Sequence, residues 1–309
     1  MSEAVGPDPA IHRRRLRSEL RNAREAAGMT QRDVAAAMDW SQSKLIRIES
    51  GAVNISTNDL RALLRHYGLD FPRIDALVEV ARASRELTPW HIYKDVATPE
   101  YLAFLGYESS ASRTRNFEPI FVPGLLQTEE YARTVISLLE ARNPHKIDSL
   151  VDLRMQRQEI IVRKPAPDLH FILDEAVIRR TAGGRDVMRR QLRHLQELAE
   201  YPNITLRIIP FEQGMYPLQR VPYWLFEFPD PEDAYVLYVE NPQGSFIVHE
   251  SSAEETEIES PVRYLTVFWE LEQIASQGDT LRLLQDAITR LTNEPPPSSA
   301  GQGARTDVQ

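Results

Sequence analysis

The sequence predicts a multidomain protein in which an N-terminal all-α domain of five helices precedes an α/β domain with a mixed sheet and C-terminal helices. Residues 1–85 show five apolar patterns with the period of a helix, separated by turn residues. Beyond residue 112, short apolar runs typical of strands alternate with longer helical patterns. The charge divides in the same place. Residues 1–85 hold 14 of the 36 Lys and Arg and 11 of the 45 Asp and Glu, so this head has net charge +3 and the remainder −12.

Length and composition limit the classes of protein that fit. A chain of 309 residues with 42% hydrophobic content can bury about two domain cores. No apolar run approaches the roughly 18 residues that a membrane span needs, so we expect a cytoplasmic protein without an anchor or a secretion signal. The lack of cysteine excludes disulfides and thiol-based redox sensing. A duplex attracts a basic head and repels an acidic remainder, which favours docking on nucleic acid through the head.

The first helix is predicted to follow a loose arm, because residues 1–10 contain one Gly and two Pro without periodicity. The basic run behind this arm is either a solvated face or a set of phosphate contacts, and it comprises Arg13, Arg14, Arg15 and Arg17. Apolar residues then recur at helical spacing up to Gly28, a typical helix stop, at Leu16, Leu20, Ala23 and Ala27.

Residues 30–51 predict two short helices joined by a tight turn. Thr30 is a good N-cap for the first helix, whose apolar face contains Val34, Ala35 and Met38. Asp39 and Trp40 interrupt the pattern, and we expect Trp40 to pack against the turn. Ser41 caps the second helix, which ends at Gly51 and has an apolar face predicted to contain Leu45, Ile46 and Ile48.

Polar residues of this helix pair are predicted to bind DNA: Gln31, Ser41, Gln42, Ser43, Lys44 and Arg47. The close crossing of the two helices leaves the outer face of the second free to enter a major groove. Gln42, Ser43 and Arg47 point along the groove, so we expect them to read base edges, whereas Gln31 and Lys44 flank it and are expected to hold phosphates. The alternative is an ordinary helical hairpin. The agreement of caps, helix stop and basic outer face favours DNA binding.

The same stretch resembles the helix-turn-helix of Cro and the phage repressors, the Xre family. The family pattern is matched at Thr30, Gln31, Val34, Ala35, Ser41, Ser43, Ile48, Glu49 and Gly51. One departure is Asp39, which stands where the family often has Gly and which tolerates a left-handed conformation at some cost. The resemblance implies a transcriptional regulator that binds double-stranded DNA. It also implies an ion pair between Arg24 and Glu49, whose carboxylate is unfavourable at a helix C-terminus unless a cation compensates it.

Two further helices complete the head. The apolar face of the fourth helix contains Leu60, Leu63, Leu64 and Tyr67. The fifth helix is predicted over residues 72–85, and its apolar face contains Ile74, Leu77, Val78 and Ala81. Residues 86–112 form a connecting segment that is too aromatic for a flexible linker, so we expect it to pack on another part of the protein.

The α/β domain is predicted over residues 113–292. Strands are predicted at residues 113–121, 169–173, 204–211, 223–228, 235–239 and 246–248, and helices after Thr128 and over residues 147–160, 186–200, 253–276 and 280–291. The helix at 186–200 joins two apolar strands and suggests a βαβ unit, whereas the later, closely spaced strands suggest antiparallel pairing. Residues 293–309 are rich in Pro, Gly and Ser and are predicted to be disordered.

Residues 122–133, VPGLLQTEEYAR, resemble a domain that follows Cro-type heads in many actinobacterial regulators, the WhiJ-like development regulators among them. Such regulators are antitoxin-like and are commonly encoded beside a small partner protein. The resemblance implies an autoregulating protein that a small partner protein or a ligand controls through its C-terminal domain. We also expect a homodimer, because symmetric operators recruit two heads.

No catalytic, metal or cofactor site is predicted in the α/β domain. Asp174 and Glu175 follow a strand, where α/β enzymes often hold carboxylates, yet an acid pair that begins a helix is more often a cap. Gly183 and Gly184 lack the third glycine and the lysine of a phosphate loop. The histidines never fall at metal-ligand spacing: His12, His66, His91, His145, His170, His194 and His249. The alternative function is an enzyme with an appended operator-binding head.

Overall fold

The head consists of five helices, as predicted. The structure, a computed structural model, describes residues 8–86, 88–229, 235–240, 246–249 and 260–293. The head helices are α1 (Pro9–Ala26), α2 (Gln31–Ala37), α3 (Gln42–Glu49), α4 (Thr57–His66) and α5 (Phe71–Ala83). Each starts at a side chain that accepts a backbone N–H of the first turn, and these caps are Asp8, Thr30, Ser41, Ser56 and Asp70. Their apolar faces meet in one core around Leu20, Val34, Leu45, Leu60, Leu63, Leu64 and Val78.

The second domain is built on a mixed six-stranded sheet, which confirms the predicted fold class. The strands are β1 (Arg113–Glu118), β2 (Asp168–Asp174), β3 (Ile204–Ile209), β4 (Tyr223–Glu227), β5 (Val236–Val239) and β6 (Phe246–His249), and their order is β3-β2-β1-β4-β5-β6. β1, β2 and β3 pair in parallel. β4 pairs antiparallel with β1, and β5 and β6 continue the sheet with antiparallel pairing. The predicted βαβ unit is therefore confirmed between β2 and β3, and a second parallel crossover joins β1 to β2.

Helices cover both faces of the sheet: α7 (Glu129–Leu139), α8 (Ile147–Arg157), α9 (Glu175–Arg179), α10 (Arg185–Leu198), α11 (Pro261–Ile274) and α12 (Gln277–Asn293). Alternate side chains of each strand point to opposite faces. Phe117, Tyr223 and Leu225 pack with α11 on one face. On the other face, α7, α10 and α12 pack over β2 and β3 through a core that includes Leu169 and Phe171.

Some predicted bounds differ from those of the structure, and others extend beyond the described residues. The first strand ends at Glu118, three residues before the predicted end, because Pro119 follows and cannot donate to a ladder. Asp174 and Glu175 were interpreted as the start of a helix, and the structure has the short helix α9 there, whose end was not predicted. α11 begins at Pro261, and the predicted helical residues 253–259 lie outside the described residues. Asn293 ends α12, and the rest of the predicted disordered tail, 294–309, also lies outside them.

The connecting segment packs on the sheet. It contains a 3-10 helix (Pro89–Tyr93) and α6 (Pro99–Ser110). Phe104 of α6 is 1% exposed and lies within 5.5 Å, between ring centroids, of Trp224, Phe226 and Tyr238 on β4 and β5. Aromatic contacts of this kind contribute about 0.5 to 1.5 kcal/mol each beyond area burial. α6 is therefore part of the second domain's core.

Helix α1 is shared by the head and the second domain. Its later residues Leu16 and Leu20 lie in the head core, whereas Ala10 and Ile11 lie in the cluster formed by α6, β4 and β5. Asp8 N–H donates to Ser110 Oγ over 2.8 Å. The prediction of a loose arm was therefore wrong for residues 8–10, and residues 1–7 lie outside the described part.

Close contact between α1 and α6 depends on Gly106. A Cβ at this position would meet Asp8 Oδ1 at 2.5 Å and Ala10 Cβ at 2.8 Å, distances that real Cβ atoms do not adopt. Arg14 adds to the contact, because its guanidinium lies 5.4 Å from the centroid of the Phe228 ring and its residue is 8% exposed. Arg14 is therefore buried between the two domains, and the prediction that it contacts phosphates is wrong.

Candidate nucleic-acid interface

A tight turn joins α2 to α3. Thr30 and Asp33 form a reciprocal capping box at the start of α2. Asp39 adopts φ 56°, the left-handed conformation expected from its place in the turn, which costs a non-glycine residue roughly 1 to 2 kcal/mol. Trp40 N–H donates to Ala35 O over 2.8 Å and closes the turn. Trp40 was expected to pack against the turn, and it is partly buried against the head core.

One face of α3 is exposed and carries Gln42, Ser43, Ile46 and Arg47. Gln42 and Ile46, like Ser43 and Arg47, are four residues apart and therefore adjacent on the helix surface. The prediction that Ile46 belongs to the buried face was wrong: it is 43% exposed, whereas Leu45 is 0% exposed. A helical wheel indicates this outcome, since Ile46 shares its side with Gln42. The sequence reasoning therefore missed one member of the exposed face.

Lys44 and Ser41 lie at the edge of this face. Lys44 Nζ lies 3.8 Å from the centroid of the Trp40 ring and 3.2 Å from Asp59 Oδ2. Both members of the ion pair are about 40% exposed, so the pair contributes about 0 to 1 kcal/mol and leaves the ammonium close to solvent. Ser41 Oγ accepts the backbone N–H of Lys44, so this hydroxyl acts as the helix cap.

Gln31 and the ion pair Arg24 with Glu49 form one network beneath α3. Arg24 Nε lies 2.8 Å from Glu49 Oε1, and Arg24 Nη2 lies 3.3 Å from Oε2. Gln31 Nε2 donates to Glu49 Oε2 over 2.7 Å. The Glu49 side chain is 2% exposed and that of Arg24 11%. The hydrogen bond to Glu49 raises the pKa of Arg24, opposing the effect of its partial burial. This network ties α1, α2 and α3 together.

Two other arginines of the basic run on α1, Arg13 and Arg17, contact the backbone of the head. Arg13 Nη1 donates to Ser84 O, and Arg17 Nη1 donates to Ser50 O, each over 3.1 Å. Both contacts lie at the ends of other helices, where carbonyl groups lack partners within their own helix. These arginines therefore help to pack the helices of the head, and they also contribute to its positive charge.

Asp174, the last residue of β2, and Glu175, the first residue of α9, make hydrogen bonds that support the local fold. Asp174 Oδ1 accepts the Ala176 N–H over 2.7 Å and caps α9, and Asp174 Oδ2 accepts the Tyr216 hydroxyl. Burial, together with that hydrogen bond, raises the pKa of Tyr216. Glu175 pairs with Arg179 over 2.8 Å and accepts the Phe211 N–H over 2.8 Å. Within the described ranges, no three His, Cys, Asp or Glu side chains are grouped as metal ligands.

Comparisons with known proteins agree with the division of the chain into a helical head and a second domain. Residues 15–77 match a family described as a helix-turn-helix domain, which makes the head a DNA-binding domain. No curated protein and no solved structure matches the chain. In the part of the chain that the structure describes, every helix is too short or too polar to cross a membrane. Residues 101–284, more than half of the chain, match the family described as domain of unknown function (DUF5753), and the chain therefore belongs to the DUF5753 family.

Proposed function

We propose that the protein is a sequence-specific transcriptional regulator that reads its operator through α3. The single observation that supports this most strongly is the exposed face of Gln42, Ser43, Ile46 and Arg47, on which no carboxylate lies. Amide, hydroxyl and guanidinium groups are the donors that base edges accept in a major groove. Glu49, the acid of α3, is turned inward and neutralised by Arg24.

The operator is identified by selecting bound duplexes from a random-sequence pool and by footprinting on the protein's own upstream region. We expect one motif to be enriched and the same motif to be protected upstream, because autoregulation requires a site there. Binding of all duplexes with equal affinity would contradict sequence-specific recognition, and a motif without upstream protection would contradict autoregulation alone.

Replacement of Arg47 by Ala is expected to weaken operator binding by about 1 to 3 kcal/mol and to relax the preference at one base pair. Arg47 is exposed on the base-reading face, so its loss leaves the head folded. Fluorescence anisotropy on the operator and on single-base variants measures both effects. Arg32→Ala is a matched control, since Arg32 is exposed on α2 outside that face. Equal losses on operator and random DNA would contradict base reading by Arg47.

Ile46 is proposed to contact the methyl group of a thymine, the apolar feature of the major groove. Ile46→Ala is expected to weaken operator binding by roughly 1 kcal/mol, the scale of one or two buried methylene groups. Replacing operator thymines one at a time by deoxyuridine removes single methyl groups. We expect one such replacement to weaken binding of the unaltered protein and to leave binding of Ile46→Ala unchanged. Additive losses at every thymine would contradict the contact.

A homodimer is proposed because one small head touches few base pairs, and paired heads double the length of sequence that is read. The selected motif should then contain two inverted half-sites about one helical turn apart, roughly 10 base pairs. Sedimentation velocity of the free protein and of its operator complex measures the stoichiometry. A single protein chain on a motif without inverted symmetry would contradict this proposal.

We further propose that the second domain acts through binding and not through catalysis, and that a small partner protein encoded nearby controls it in an antitoxin-like manner. The resemblance of residues 122–133 and the engagement of Asp174 and Glu175 in caps and ion pairs support this proposal. Co-expression with the product of the adjacent small reading frame, followed by gel filtration, tests it. A stable complex with altered operator affinity is expected, and two separately eluting proteins would contradict it.

A further inference from the structure

A cleft of about 210 Å³ opens between the head and the second domain. Its walls come from α1, the loop after α3, the end of α5 and α6. We call it the junction cleft and define it by Arg13, Arg17, Asn54, Arg85, Ala103 and Tyr107. A second cleft of about 530 Å³ shares Arg13, Asn54, Arg85 and Ala103 with it, so the two adjoin. The adjoining cleft falls within the range of small-molecule sites, about 300 to 1,000 Å³, and the junction cleft is somewhat smaller than that range.

Three arginines give the junction cleft a positive rim. Arg13 donates to Ser84 O, Arg17 to Ser50 O, and Arg85 to Ile55 O, so all three have backbone carbonyl partners. No Asp or Glu is among the described residues that line the junction cleft, and Glu86 is the acid of the adjoining one. Each guanidinium has five N–H donors, and a neutral carbonyl partner does not cancel its charge. The buried carboxylate of Asp8 lies near enough to Arg13 to interact with that charge. An anion entering the cleft would therefore be attracted by three cations.

The floor of the junction cleft is apolar, with side chains of Leu16, Leu20, Ile48, Val53, Ile55 and Ala81. Tyr107 closes one side, where it is 3% exposed and lies within hydrogen-bonding reach of Arg17. A rim of guanidinium groups over an apolar floor matches a ligand with an anionic group and an apolar body. Guanidinium groups bind carboxylate and phosphate oxygens with charge-assisted hydrogen bonds.

Gly51 leaves room for the Arg17 side chain of the rim. This residue follows Ser50, the C-cap of α3, and has φ 77°, a conformation that suits glycine. A Cβ on Gly51 would meet Arg17 Cδ at 2.4 Å, so only glycine lets the Arg17 side chain pass across the end of the recognition helix. The position of Arg17 is thereby coupled to the C-terminus of α3.

We propose that the junction cleft binds a small organic anion, a carboxylate or phosphate monoester with an apolar body, and that this ligand adjusts the position of α3 relative to the second domain. The walls explain the coupling, because Ile48 and Gly51 belong to α3 and its end, whereas Ala103 and Tyr107 belong to α6. The regulatory consequence rests on the proposed DNA-binding function. Ligand binding itself does not, and it is measurable without DNA.

Phenyl phosphate is a suitable probe, since it joins a phosphate monoester to one apolar ring. Saturation-transfer difference NMR on the full chain is expected to show binding of phenyl phosphate and much weaker transfer to benzyl alcohol, its neutral analogue. The double variant Arg13→Gln, Arg85→Gln should bind phenyl phosphate at least about tenfold more weakly, the effect of one lost charge-assisted hydrogen bond. Arg82→Gln is the matched control, because Arg82 is exposed on α5, pairs with Glu79 and does not line the cleft.

Absence of transfer from the unaltered protein would overturn the proposal, and so would equal binding by the double variant and the control. Circular dichroism of both variants excludes unfolding as the cause of a loss. Anisotropy with the operator then separates the two levels: a shift in operator affinity with phenyl phosphate supports the coupling. Loss of affinity for random DNA in the double variant, without any phenyl phosphate binding, would mean that these arginines contact the DNA backbone and would also overturn the proposal.

Discussion

Replacement of Glu49 by Ala is expected to destabilise the head by about 3 to 5 kcal/mol and to abolish operator binding, because it leaves the Arg24 guanidinium partly buried without its carboxylate. The side chain of Arg24 is 11% exposed and makes two bonds to Glu49. Gln31 also loses its acceptor. Urea unfolding followed by circular dichroism measures the free energy of unfolding, and anisotropy measures operator binding.

Glu25→Ala provides the matched control on the same arginine. Arg24 Nη2 lies 3.3 Å from Glu25 Oε1, but the Glu25 side chain is 58% exposed, so its loss should cost about 0 to 1 kcal/mol. A double-mutant cycle with Arg24→Ala isolates the coupling to each partner. Strong coupling is expected with Glu49 and weak coupling with Glu25. Additive effects for Arg24 and Glu49, within a few tenths of a kcal/mol, would contradict a structural role for the pair.

Replacement of Glu108 by Ala is expected to destabilise the second domain by a similar amount, about 3 to 5 kcal/mol, because it leaves a buried arginine without its carboxylate partner. Arg157 on α8 makes two bonds of 2.8 Å to Glu108 on α6, and the two side chains are 4% and 3% exposed. Arg157 also donates to the Tyr101 hydroxyl. Burial lowers the pKa of Arg157, but Glu108 and Tyr101 together raise it above its ordinary value, so the guanidinium stays charged. Thermal and urea unfolding measure the loss.

Two further variants separate burial from ion pairing. Arg133 on α7 lies 2.6 Å from Asp148 on α8, but the side chains are 45% and 85% exposed, and Arg133→Ala should cost about 0 to 1 kcal/mol. The double replacement Glu108→Leu, Arg157→Met removes both buried charges, and we expect it to be far less damaging than Glu108→Ala alone. If the double replacement is as destabilising as the single one, the loss comes from packing and not from an unpaired charge.

The parts of the protein that were predictable from sequence depend on local patterns. The caps at Thr30 and Ser41, the stop at Gly51 and the helical period of residues 60–81 are properties of a few neighbouring residues, and each is present in the structure. Apolar runs of strand length likewise predicted the sheet and its change from parallel to antiparallel pairing. The ends of elements were less predictable, because a strand ends where its neighbour stops pairing.

Some residues of the candidate site were likewise predictable from local patterns, and others were not. Gln42, Ser43 and Arg47 were predictable as an outward face, since the period of α3 follows from its own sequence. Ile46 was assigned to the wrong face because its apolar character was weighed above its position on the helix. The short distance between Arg24 and Glu49 agrees with what the resemblance implied. The junction cleft had no signal in the sequence, since its arginines come from two distant segments: Arg13 and Arg17 lie on α1, whereas Arg85 follows α5.

The sequence by itself determined the five-helix head, its basic outer face and the mixed sheet, because periodicity and capping are set by side chains within one or two turns. Only the tertiary structure decided which elements share a core. Ala10 and Ile11 pack with the second domain, Arg14 is buried against Phe228, and Glu108 meets Arg157 across 49 residues. These contacts join segments far apart in the chain, and their geometry depends on how whole helices and the sheet pack, which no local pattern encodes.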